Sequence, residues 1–267
     1  MISLFGLTFV QNALAVGSLV AILSAFVGYF VVLRGLSFAA HSLAHIGFAG
    51  ATAAVFLGLN PIYGLLAFTV TSAGVMGLLG ERVRGRDVSI GIVLAFCLGL
   101  GALFLSLYTK YATQVFSILF GTIVGVSSGE VVQTAILTGL CLIVIFILYR
   151  QLLFYSIDPV VAEAKGLSVK ALSIAFFVIL AVAVSVAVQI VGILLIFTLI
   201  LAPAATAQYL TSKPLHTIGL AILIALFEVW MGIIFSYYIS WPVSFFISSI
   251  AFLLYLCARL SNSFERK

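Results

Sequence analysis

Long apolar runs separated by short polar breaks fill the chain, at about 7–33, 38–59, 62–80, 88–109, 131–149, 171–188, 190–210, 215–239 and 243–258. Each has room for the roughly 17–25 residues that an α-helix needs to cross a bilayer core. Such spans must pair their backbone groups internally, so the pattern predicts an all-α, polytopic helix bundle. The nearly continuous run 171–210 can be divided in more than one way, and the expected count is eight or nine crossings. A shorter apolar piece around 113–124, between Lys110 and Glu130, cannot cross as a helix. It is expected either to dip into the membrane or to lie on it.

The polar breaks carry a topology. Arg34, Arg82, Arg84, Arg86, Arg150, Lys165, Lys170, Lys213, Arg259, Arg266 and Lys267 all fall on one side of a nine-span bundle, and only Lys110 falls on the other. The positive-inside rule makes the first side cytoplasmic, with the N-terminus outside and the C-terminus inside. Residues 7–33 follow no basic n-region and no clean small-residue cleavage site, so they read as a retained first helix rather than a signal peptide. The longest polar stretch, Ser156–Ser168, is cytoplasmic in this scheme and carries its own punctuation. Asp158 can cap free N–H groups and Pro159 suits a first helical position. Gly166 can end the turn in the left-handed conformation, with Lys165 near the negative end of the dipole. Residues 159–165 should therefore form a short, stiff surface helix, able to pass force to a cytoplasmic partner.

Composition sharpens this picture. Of 267 residues, 64% are apolar and only 7% are charged, against about 25% charged in soluble domains. The expected organisation is one transmembrane domain over 1–267, with any ATP-hydrolysing or ligand-capturing part on another chain. No GxxxxGK[ST] motif occurs, so the chain is not expected to be an enzyme acting on ATP. The net charge of +5 follows from the one-sided loops and does not signal a nucleic-acid partner. Cys97, Cys141 and Cys257 lie in apolar runs without CxxC spacing and read as small packing residues.

Ionisable groups inside spans cost about 2.5–3.5 kcal/mol each for Arg, Lys or Asp, and so mark candidate functional positions. The candidates are His41, His45 and Glu228; His216, at the start of its run, reads as interfacial. His41 and His45 are four apart and share a helix face, a spacing that can offer two imidazoles to one borderline metal ion. The alternative is that each ring hydrogen-bonds a neighbouring helix. A haem cannot take both rings axially from one side. His41-Ser-Leu-Ala-His45 also lacks the general-base Glu of a helical metalloprotease. Glu228 lies mid-run: unpaired it would be held neutral by desolvation, whereas beside a cation it could act as a hard oxygen ligand. Gly47, Gly50, Ala51, Ala53 and Ala54 allow a close helix neighbour. Pro203 should kink or break its helix at membrane depth.

These motifs resemble one family, the membrane permeases of bacterial zinc and manganese ABC importers of the metal ABC-3 type. Four stretches carry the likeness across almost the whole chain. They are Val32-Leu-Arg-Gly-Leu-Ser-Phe38 running into Ala40-His-Ser-Leu-Ala-His45, Asp87-Val-Ser-Ile-Gly91, the Asp158–Gly166 loop, and Val191-Gly-Ile-Leu-Leu195 leading to Pro203-Ala-Ala-Thr-Ala207. The resemblance implies a fold like the vitamin B12 and siderophore importers. It also implies a homodimer or paired permease, two cytoplasmic ABC ATPase subunits and an extracytoplasmic metal-binding protein, in the bacterial inner membrane. It makes 158–166 the coupling helix, acting on the ATPase through Asp158, Pro159, Ala162, Glu163 and Gly166. His45 matches the family's His on the second helix. Members carry Asp where this chain has His41, and Asp before the late Pro where this chain has Ser240.

The expected function is therefore import of a divalent transition metal, the cargo being the only metal and no cofactor being tightly bound. Imidazole in place of carboxylate favours zinc, with manganese next. Glu228 could restore a negative charge from another helix. Two rivals stand beside this reading. One is a proton-coupled secondary metal transporter with Glu228 and the His pair as relay; the other is an intramembrane metalloenzyme built on the His pair.

Overall fold

The computed structural model describes residues 7–79, 86–107 and 119–265. Ten α-helices follow one another among these residues: α1 Thr8–Leu33, α2 Ser37–Phe56, α3 Pro61–Leu79, α4 Arg86–Leu107, α5 Ser128–Ile157, α6 Pro159–Ala164, α7 Val169–Val191, α8 Ile193–Leu210, α9 Pro214–Ile239 and α10 Val243–Glu265. A 3₁₀ turn, Ile123–Gly125, precedes α5. All but α6 are long and apolar enough to cross a membrane, which gives nine candidate spans among the described residues. That is the upper of the two counts expected from the hydrophobic pattern.

The bundle is built around α1, α2 and α7, the most buried helices, with α4, α5 and α10 on the outside. α1 packs against α5, α7, α8 and α9, and α2 against α3, α4, α7 and α8. Small residues set the crossing of α2 and α3. A Cβ on Gly50 would collide with the Gly64 carbonyl, and one on Gly64 with the Gly50 carbonyl, so α2 and α3 touch backbone to backbone. A buried hydrogen bond of 2.8 Å between Thr69 and Ser185 ties α3 to α7. The outer helices expose large apolar side chains such as Phe96, Ile136, Phe146 and Phe252, a surface suited to hydrocarbon rather than water.

Three elements depart from the sequence expectation. α5 runs over 30 residues instead of 131–149. A capping box starts it early: the Ser127 hydroxyl accepts from the Glu130 N–H, while the Glu130 carboxylate accepts from the Ser127 N–H at 2.8 Å. Nothing stops it before Asp158–Pro159, because Arg150 is a good helix former and Pro159 is the first breaker. Arg150 therefore stands on a helix, not in a loop. α10 continues past 258 to Glu265. Pro203 does not break its helix: α8 runs unbroken from Ile193 to Leu210 with Pro203 buried inside. The one hydrogen bond it removes is tolerated because the segment is packed among α1, α9 and α10. The discontinuity falls instead at Gly192 (φ +81), which ends α7 and starts α8.

The piece expected to dip or lie flat is described only from residue 119; 113–118 lie outside the described residues, as do Arg82, Arg84, Lys110, Arg266 and Lys267. What is described penetrates the bundle. The Asn12 amide donates to the Val126 carbonyl at 3.2 Å, and a Cβ on Gly17 would meet Ile123 at 3.5 Å. Asn12 and Gly17 lie roughly 6 and 14 Å along α1 from its start, at 1.5 Å per residue. At that depth the Thr122 N–H donates to the Ile190 carbonyl at 3.0 Å. Gly121 (φ +78) and Gly192 cross there, each so close to the other's backbone that a Cβ on either would clash.

Candidate functional site

His41 and His45 share one face of α2. Their ring centroids are 4.5 Å apart and the planes cross at 70°. The turn that presents them is stiff. α1 ends in a Schellman motif, with Gly35 at φ +64, the Leu36 N–H donating to Val31 O at 2.9 Å and the Gly35 N–H to Val32 O at 3.2 Å. α2 then starts at Ser37, which places the two rings roughly 6 and 12 Å in from that end of the helix. Ser42, Leu43, Ala44 and Ile46 are buried, whereas both imidazoles are half-buried. The two rings thus stand clear of the fully packed part of α2. Phe197 of α8 stands edge-on to His41, with centroids 4.8 Å apart. The same ring walls an apolar cleft of about 410 Å³ that runs past Thr198 and Leu201 to Phe252 and Tyr255 of α10. The arrangement sets two imidazoles side by side with an aromatic ring against the first of them.

Glu228 lies on α9, wholly buried, with neither carboxyl oxygen within hydrogen-bonding reach of a partner among the described residues. Among the described residues no three His, Cys, Asp or Glu side chains gather closely enough to hold a metal ion. Glu228 therefore does not complete a cage with the His pair inside one chain. A carboxyl held without a partner in this setting is costly, and is kept where a partner or a role offsets that cost. Ser240, at the position where Asp was expected, ends α9 in the left-handed region at φ 60. Its N–H donates to Ser236 O at 2.9 Å. His216 lies in the first turn of α9 and is exposed.

α6 has both caps read from the sequence. The Asp158 carboxylate accepts from the Val160 N–H at 2.9 Å and the Val161 N–H at 3.0 Å. Pro159 takes the first position. Gly166, at φ +82, closes a Schellman motif, with the Gly166 N–H on Glu163 O at 2.9 Å and the Leu167 N–H on Ala162 O at 3.1 Å. The helix exposes Val160, Val161 and Glu163 but buries Ala162 completely. Ala162, expected among the residues that meet a partner, is instead buried against its own chain, since residues spread around a single turn cannot all face outward on a helix lying against the bundle. Asp158→Ala is expected to weaken α6 by about 0.5–2 kcal/mol, while Asp158→Asn, which keeps an acceptor, is nearly neutral. Limited proteolysis at 158–166 reads the difference; equal cleavage of both variants would show that the cap does not hold the helix.

The ABC 3 transport family matches the chain from residue 6 to residue 262. The chain belongs to that family. The manganese transport system membrane protein MntC of Listeria monocytogenes is 33% identical over 231 residues, 86% of this chain and 82% of that protein. The manganese import system permease protein ScaB of Streptococcus gordonii is 33% identical over 210 residues, 78% of this chain and 75% of that protein. Among solved structures, PsaBC from Streptococcus pneumoniae superposes with a TM-score of 0.85 at 28% identity, covering 96% of this chain and 92% of that one. The all-helical membrane fold expected from the hydrophobic pattern is the fold of this family.

As an ABC 3 transport family chain, it has features that the sequence did not signal. Phe197 comes to His41 from more than 150 positions away, and nothing in its local pattern marks it. The Gly121–Gly192 crossing could have been suspected from two glycines flanking apolar runs, but not paired. Both relatives described above bear manganese in their names, so the zinc preference drawn from His41 gains no support from them.

Proposed function

We propose that this chain is the membrane permease of an ABC importer that moves a divalent transition metal into the cytoplasm, with manganese the first cargo to test. One observation carries the reading: a doubly capped helix, α6, lies at the same end of the bundle as the His pair. That co-location is fixed by Arg34, three residues before α2, whose guanidinium sits over the Tyr155 ring three residues before Asp158. The manganese in the names of its relatives supports that choice of first cargo. In this reading ATP is hydrolysed by a separate subunit that docks on the exposed Val160, Val161 and Glu163. An extracytoplasmic protein delivers the ion, and a second permease copy faces the His-bearing side. The N-terminus is outside the cytoplasmic membrane and the C-terminus inside, an orientation that the one-sided basic residues support. The ion passes His41 and His45 as transient ligands, because a tight cage would trap it.

The deciding experiment reconstitutes the permease with its ATPase and binding protein in proteoliposomes and follows Mn²⁺ uptake. Uptake should require ATP and survive collapse of the proton gradient. Uptake without the ATPase that vanishes with the gradient would transfer the case to a secondary transporter. Zinc remains the second reading because the site presents two imidazoles and no carboxylate among the described residues. Mn²⁺ uptake blocked completely by equimolar Zn²⁺, with Zn²⁺ itself carried, would favour it. Glu228→Gln keeps shape and removes charge; if Glu228 is a ligand on the path, uptake should fall by about tenfold. Unchanged uptake and unchanged bound-metal stoichiometry would take Glu228 off the path.

A further inference from the structure

Arg34 caps the C-terminus of α1 and occupies the three-residue corner, Arg34–Leu36, that leads into the His-bearing α2. Its guanidinium carbon lies 4.5 Å from the Tyr155 ring centroid and 4.5 Å from that of Phe176. Both rings are almost fully buried, at 2% and 1% exposure, so the planar cation is held in an aromatic slot rather than lying on a wet surface. The two rings come from the two helices that flank α6. Tyr155 is on the last turn of α5, and Asp158 joins that turn to α6 by donating its N–H to Phe154 O at 3.2 Å while capping the next helix. Phe176 is on α7, which starts directly after α6 with its own Ser168 cap. α6 packs on α5 and α7, and Lys165 adds a contact over the Phe154 ring at 5.7 Å.

A push on α6 therefore moves Tyr155 and Phe176 with it. The group gripped between those rings is the arginine at the α1–α2 corner, and the Schellman turn there leaves little slack before His41. A column of rings continues the grip inward: Phe30 lies 6.1 Å from Phe176 and 6.1 Å from Tyr149. The bland role for Arg34 is a cytoplasmic charge that fixes topology, which needs no aromatic slot and no specific partner helices.

We propose that Arg34 is a positioning residue that transmits displacement of α6 to the helix carrying His41 and His45. The inference rests on the import reading given above. It is tested on the full complex in proteoliposomes by measuring ATP hydrolysis and Mn²⁺ uptake on the same samples. Arg34→Gln and Phe176→Leu are expected to hydrolyse ATP within about twofold of wild type while metal moved per ATP falls about tenfold, within the usual range for coupling between sites. Phe176→Tyr, which keeps the ring, should couple like wild type, and Arg34→Lys, which keeps charge but not the planar stack, should fall between. If Arg34→Gln fails to assemble, Arg34→Lys and Phe176→Leu carry the same comparison. A wild-type ratio of metal per ATP in these variants, or a proportional loss of both activities, overturns the inference and leaves Arg34 as a fold or topology residue. A wild-type complex that moves no Mn²⁺ on ATP overturns the import reading itself, and the inference with it.

Discussion

Gly50→Ala is expected to cost the protein most of its folded yield, and Gly64→Ala to do the same. Each added methyl would be driven into the carbonyl of the facing glycine. A flexible side chain could swing aside, but a backbone carbonyl within a helix can yield only if α2 and α3 move apart. Overpacking of this kind costs about 1–3 kcal/mol where neighbours can adjust, and here the adjustment is a helix displacement. In lipid, where helices gain little hydrophobic drive to associate, that close contact is a main source of attraction, so separation also forfeits dispersion along the seam. Because α2 carries the His pair, any protein that survives should also lose uptake. Gly219→Ala is the control: nothing lies within 4 Å of its added Cβ, and alanine is the better helix former. Thermal unfolding of the purified proteins in detergent reads the comparison. Gly50→Ala melting alongside Gly219→Ala would mean that α2 and α3 are not held at this distance in the membrane.

Those glycines show what one sequence can and cannot say. That Gly47, Gly50 and the alanines after them admit a close neighbour was readable from residue size. That the neighbour is α3, and that Gly64 is the reciprocal notch, was not, because spacing along one helix carries no address for its partner. The spans were legible for a simpler reason: the bilayer imposes a length and an apolar content on each segment independently. The ends were less so where helix formers ran on past the apolar core, as in Arg150–Ile157 of α5 and Arg259–Glu265 of α10. α6 was legible in full, since Asp158, Pro159 and Gly166 act on their own backbone within a few residues. Pro203, expected to kink or break its helix, does not break it: proline disfavours a helix locally, whereas packing of α8 against its neighbours keeps it continuous.

At the candidate site the same division holds. The shared face of His41 and His45 follows from a spacing of four on any helix. That Glu228 does not gather with them into a group of three among the described residues is tertiary, and residue chemistry alone could not read it. Its complete burial without a hydrogen-bond partner among the described residues is a fact that only the folded chain supplies.

His45→Ala should cut metal uptake by about tenfold or more whichever ion is offered, since it removes one of two donors on the only helix face that presents a pair among the described residues. His41→Asp should behave differently. A carboxylate is a harder ligand than imidazole and suits manganese relative to zinc, whose preference runs to nitrogen and sulfur. The substitution also shortens the side chain and withdraws the ring that Phe197 meets edge-on, opening the space between α2 and α8. Both changes act in one direction, towards faster passage of the less tightly held ion. The ratio of Mn²⁺ to Zn²⁺ uptake should rise by about tenfold, the step that a difference of about 1.4 kcal/mol between two ions would produce. Uptake of the two ions measured in competition, on wild type, His41→Asp and His45→Ala, separates the roles: one variant changes selectivity, the other throughput. If His41→Asp leaves the ratio where it was while His45→Ala still abolishes transport, then selectivity is set elsewhere on the path, and His41 serves chiefly to hold Phe197 in place.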